Sequence, residues 1–159
     1  MTKVLIVKVM FATLLLFGQL SKSFADDIAL TEAASQLIES MSLKQKDAGL
    51  FGFKDKDRAN WSNLPPFLAP TEGVELSKLS DMQRGLVFRI LQTTLSSQGY
   101  HKSSQIIWLD DLLKEIETKT IVTGVGNVQM ARLFVDSRGS GKYKFAIFGN
   151  PDHRDWGWR

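Results

Sequence analysis

The sequence predicts an α+β domain, with helices through most of the chain packed on a small C-terminal antiparallel β-hairpin or sheet. Three observations carry this. Apolar residues recur at three- and four-residue steps in three stretches before Lys119, the period of a one-faced helix. Two of the expected helices open on a Ser-x-x-Gln capping box. After Lys119 the chain turns to β-branched and aromatic residues around a Gly- and Ser-rich turn, and helices followed by strands make an α+β domain.

Residues 1–25 read as a cleavable signal peptide. Lys3 and Lys8 precede an apolar run, Val9 to Phe17, and Ser23-Phe24-Ala25 puts small residues at the third-last and last positions before a cut. A spanning helix needs about 20 apolar residues; Gly18, Gln19, Ser21 and Lys22 close this run earlier. The expected mature chain is one domain, 26–159, exported to the periplasm or secreted, with no membrane span after cleavage.

The net charge of +3 comes from Lys3, Lys8 and Lys22, so the mature part carries 17 basic and 17 acidic residues. A nucleic-acid partner asks for excess or clustered Lys and Arg, so that class is set aside. The chain has no cysteine, which rules out disulfides and a lipid-modified cysteine.

From Asp26, Ala33, Ala34, Leu37, Ile38 and Met41 form one stripe. The box Ser42-Leu43-Lys44-Gln45 predicts a kink and a short helix stopped at Gly49. Leu50 to Pro70 reads as a long irregular segment, since Pro65 and Pro66 exclude helix interior and central strand. A helix hairpin is expected over about 80–118. Ser80 and Gln83 cap its first arm, with Met82, Leu86, Val87, Ile90, Leu91 and Leu95 inward and Gly99 as a left-handed stop. Ser103 is expected to cap the second arm, with Ile107, Leu109, Leu112, Leu113 and Ile116 inward and Trp108 packed. Val128 to Val135 and Tyr143 to Phe148 read as two strands of a hairpin around Asp136–Lys142.

The chemistry-bearing patterns are sparse. Gly124-Val125-Gly126 lacks the third glycine and the acid of a dinucleotide loop, so no nucleotide motif is present. His101 and His153 are the only histidines. Asp152-His153-Arg154-Asp155 with Asp110-Asp111 offers no convincing set of three or four metal ligands, and no cofactor is assigned. No Ser occupies a Gly-x-Ser-x-Gly elbow, so no catalytic set is recognised and enzymatic activity stays open. Tryptophans carry the remaining signal. Trp156-Gly157-Trp158 puts two rings beside Arg159, and exposed aromatic rings stack on sugars.

Three stretches taken in order resemble the uncharacterised bacterial family known as domain of unknown function 3500. They are Phe51-Gly52-Phe53 with Arg58, Trp61, Leu64 and Pro65; Leu79-Ser80 with Gln83, leading to Leu95-Ser96 and Gly99-Tyr100; and Phe148-Gly149 with Pro151, then Trp156-Gly157-Trp158. Ile121 to Gly141 has no clear motif match. The resemblance covers the N-terminal part of the family and implies no particular activity. It implies that members continue into a Gly-His-His-Leu motif, so this chain is expected to be truncated at its C-terminus.

Three functions follow as expectations: part of an envelope or extracellular enzyme, a non-catalytic binding protein that uses exposed aromatics on a glycan or other envelope component, or a truncated fragment without function. The candidate binding residues are Arg58, Trp61, Gln83, Trp156, Trp158 and Arg159. The oligomeric state is not fixed by the sequence.

Overall fold

The computed structural model describes residues 28–60, 62, 64–122, 128–149 and 157–158. The expected signal segment, the Gly124–Gly126 turn and the 151–156 stretch lie outside them. The α+β class holds: among the described residues, five helices frame two small sheets.

Helix α1 spans 28–40. Its alanine-leucine stripe packs as the spacing predicts, with Ala33, Ala34, Leu37 and Met41 buried. The Ser42–Gln45 capping box forms and starts α2, Leu43–Gly49. Gly49 does end α2, though not by a left-handed turn. It is buried where a Cβ would stand 2.8 Å from the Val74 side chain, and the chain leaves in an extended conformation at Leu50.

Strand β1, Leu50–Phe51, opens the irregular segment, which contains a 3-10 turn, Lys56–Ala59. Strand β2, Val74–Glu75, closes it. Helix α3, Asp81–Thr94, starts on the second capping box, Ser80 with Gln83. Val87 and Ile90 are buried as expected, while Met82 is exposed and Leu95 partly so.

The turn after α3 departs from expectation. Helix α4 begins at Ser97 and runs to Val122, so Gly99 lies inside it. The hydroxyl of Ser96 accepts the Gly99 amide at 3.1 Å. Ser96 therefore takes the capping role expected of Ser103, and a link of two residues joins the hairpin.

Helix α4 is also rotated relative to the expected face. Leu109, Leu112 and Ile116 are exposed, and Trp108 is 63% exposed. The sheltered side carries Ile107, Asp110, Leu113, Lys114, Glu117 and Ile121, residues three and four apart that share one face. Polar groups fix this rotation, because Asp110 and Glu117 find charge and amide partners there. Burying them without partners would cost several kcal/mol; leaving leucines half in water costs about 1–2 kcal/mol each.

The hairpin expected from 128–135 and 143–148 does not form. Val128–Asp136 is helix α5. Gln129, Met130, Ala131, Arg132 and Leu133 are good or acceptable helix formers, and Ala131 and Val135, four apart, turn inward. Helix α5 packs on α4.

Strands β3, Lys144–Phe145, and β4, Ile147–Phe148, take their partners from earlier in the chain. β3 pairs antiparallel with β2, and β4 pairs parallel with β1 in the register Leu50–Ile147. Strand β5, Gly157–Trp158, lies antiparallel on the other side of β4.

The main core joins α1 and α3 to these strands, through Leu37, Ile90, Leu79, Val74, Phe145 and Ile147. Phe148 is fully buried and stacks on Phe51 with ring centroids 5.1 Å apart.

Candidate functional site

A groove of about 540 Å³ runs between the proline segment and the wall made by α4, α5 and β3. Pro65 organises the first side: its carbonyl accepts the amides of Leu68 and Ala69 at 2.9 and 3.1 Å. That turn presents Phe67 edge-on to Phe134 of α5, with centroids 5.1 Å apart. Lys144 ties the same segment to the sheet by donating to the Thr71 carbonyl at 2.6 Å. Ser62, Leu64, Pro65 and Pro66 thus face Phe134, Tyr143 and Ala146 across the groove.

The far wall is organised by Arg138. Its Nε and one terminal nitrogen donate to the two oxygens of Glu117 at 3.2 and 3.3 Å, and the other terminal nitrogen lies 3.5 Å from Asp110. The two-pronged contact with Glu117 is the geometry that suits a guanidinium. Hydrogen bonding to Glu117, partly opposed by burial, raises the Arg138 pKa further above its already basic range.

Asp110, with its side chain 15% exposed, also accepts the Gly139 amide at 2.8 Å, and Asp111 accepts the Ser140 amide at 2.7 Å. Adjacent carboxylates on α4 therefore hold adjacent amides of the turn. Gly139 permits this: its φ of +105° is a conformation that side-chain-bearing residues rarely adopt.

Tyr143 lies beside this cluster and lines the groove. Burial, and next the charge of Asp110, push its phenol pKa upward, so the hydroxyl keeps its proton at neutral pH and can donate.

The Asp111 clasp carries a pH dependence. Hydrogen bonds from Ser140, side chain first and then backbone, hold its carboxyl below the ordinary 3.8. A depressed carboxyl contributes stability that is complete above its unfolded pKa and fades as pH falls through the folded value. Asp111→Asn is expected to lose about 0.5 kcal/mol at neutral pH, the scale of a solvent-screened contact. Its urea midpoint should converge with the parent's as pH drops below the ordinary aspartate range. Parallel midpoint curves down to low pH would remove Asp111 from the acid response.

Of the residues singled out from the sequence, Arg58 and Gln83 do not line the groove. Arg58 is exposed, with its guanidinium 4.5 Å above the Phe53 ring. Gln83 is buried and wholly engaged. Its amide nitrogen donates to the Ser40 carbonyl at 2.8 Å and to Gln45, and its oxygen accepts the Ser80 amide and Gln45 in return. The backbone of Trp158 pairs with Ile147 in β5. Trp61, Trp156 and Arg159 lie outside the described residues. His101 is exposed on α4.

Sequence reasoning missed Asp110 as a groove residue, and with it Glu117, Arg138, Tyr143 and Lys144. The signal available was the charged turn Asp136-Ser137-Arg138-Gly139, since a glycine amid charges marks a shaped turn.

Among the described residues, no three His, Cys, Asp or Glu side chains are placed to hold a metal ion, and no helix is long and apolar enough to cross a membrane.

The fold and groove define an α+β protein with an open cleft of small-molecule size, walled by prolines on one side and by aromatics and ion-paired charges on the other. The chain belongs to the family described as Protein of unknown function (DUF3500), whose profile matches residues 25–159. No curated protein and no solved structure matches it.

Proposed function

We propose that this chain is an exported binding protein whose groove holds a hydroxyl-rich ligand of the saccharide class. One observation carries the reading: the groove sets aromatic and proline surfaces beside charges already held in pairs. A sugar ring has apolar C–H faces and a belt of hydroxyls. Pro65, Pro66, Phe134 and Tyr143 offer surface for the faces. Arg138, shared between Asp110 and Glu117, and Asp110 itself can still donate to and accept from hydroxyls. Export supports the class, because envelope glycans are abundant across the inner membrane, and the apolar run and Ser23-Phe24-Ala25 support export.

The test is saturation-transfer NMR of the purified protein against a panel of mono- and oligosaccharides. Transfer to at least one member is expected, and Tyr143→Ala should weaken that binding about tenfold, the scale of a stacking and hydrogen-bonding contact. No transfer to any member, or binding that ignores Tyr143→Ala and Arg138→Gln, overturns the reading.

A further inference from the structure

The geometry points to an acidic saccharide: Lys144 seats one carboxylate of the groove's ligand. This rests on the saccharide reading above and narrows it.

The argument begins with charge pairing around β2 and β3. Glu75 stands opposite Lys144 in the register of the two strands. Opposed charges on neighbouring strands ordinarily pair. Here the Glu75 carboxylate turns away, accepting from the Ser77 hydroxyl at 3.3 Å and lying 3.8 Å from the Lys142 ammonium. Lys144 swings instead toward the proline segment and donates to the Thr71 carbonyl at 2.6 Å. No carboxylate of the described residues stands within 4.0 Å of it, whereas of the other two cations lining the groove Arg138 has two and Lys142 has one.

An ammonium has three donors, and the Thr71 carbonyl takes one. Lys144 is exposed and lines the groove, so its remaining N–H groups and its whole charge are available at the lip. A carbonyl neutralises no charge. An anionic group on the ligand does, and it gains a charge-assisted hydrogen bond in doing so. Tyr143, the adjacent residue in sequence, supplies a protonated hydroxyl in the same groove. Lys144, the one cation lining the groove with no carboxylate partner among the described residues, describes a ligand with hydroxyls and a negative charge.

The experiment compares matched probes by ligand-observed NMR on the purified protein: glucuronate against glucose, galacturonate against galactose, and N-acetylmuramate against N-acetylglucosamine. At least one acid is expected to bind about tenfold tighter than its neutral partner, with the preference shrinking as salt is raised. Lys144→Gln should erase the preference, so that each acid then binds no tighter than its neutral partner. Equal binding of acid and neutral partners throughout overturns the carboxylate seat and leaves the saccharide groove standing. A preference that survives Lys144→Gln overturns the assignment to this residue. Binding of neither class overturns both readings.

Discussion

Phe148→Ala is expected to lower stability by about 3–5 kcal/mol, the usual cost of emptying a fully buried aromatic position. The side chain has no exposed surface and stacks on Phe51, which itself begins the irregular segment. Truncation therefore removes buried apolar area and also the ring that anchors the start of the groove's first side. Small domains hold together by about 5–15 kcal/mol, so the alanine variant should lose a large part of its urea midpoint. Phe148→Leu, which keeps most of the volume, should lose much less. If both variants unfold at the parental midpoint, the Phe51–Phe148 stack is not part of the core.

The second large effect falls on the paired glutamines. Gln45 and Gln83 each serve as the fourth residue of a capping box, and the two amides also bond each other at 3.1 and 3.3 Å. Each oxygen takes a cap amide and the partner glutamine. Each nitrogen gives to the partner and to a carbonyl, Lys78 for Gln45 and Ser40 for Gln83. Every donor and acceptor of the pair is occupied, and Gln83 is only 4% exposed. Gln83→Leu would leave the Ser40 carbonyl, the Ser80 amide and both polar ends of Gln45 short of partners. A buried polar group left alone costs about 1–3 kcal/mol, so a loss of about 2–4 kcal/mol is expected. The double variant with Gln45→Leu should lose less than the two single losses added together, because the amides share one network. Strict additivity would show that the two boxes act separately.

These glutamines also show what the sequence made legible. A capping box is a local code, four residues long, and both were readable as helix starts. Their contact with each other spans 38 positions, which no local pattern carries. The alanine-leucine stripe of α1 was legible for the same reason as the boxes. Helix α4 was not. Its leucines suggest an inward face, yet the sheltered side is chosen by Asp110 and Glu117, whose partners Arg138 and Gly139 lie more than twenty positions away. Helix α5 was misread because Val128, Leu133, Phe134 and Val135 look strand-like, and strand preference depends on a pleated neighbour. The neighbours that β3 and β4 needed were already supplied by β1 and β2. The groove was illegible on the same grounds, since its two sides come from residues 62–72 and 110–146 and meet only in the folded chain.

Leu50 meets Ile147 in a parallel register, 97 positions further along the chain. Joining ends so far apart demands a large loss of chain freedom before any reward arrives. Helices α1 and α3, which need only local bonds and each other, emerge well ahead of that strand. During synthesis, the sheet's first edge therefore waits, open, until residues 147 and 148 have appeared. A chain ordered in this way gathers its helices first and closes its sheet only when both strands are out.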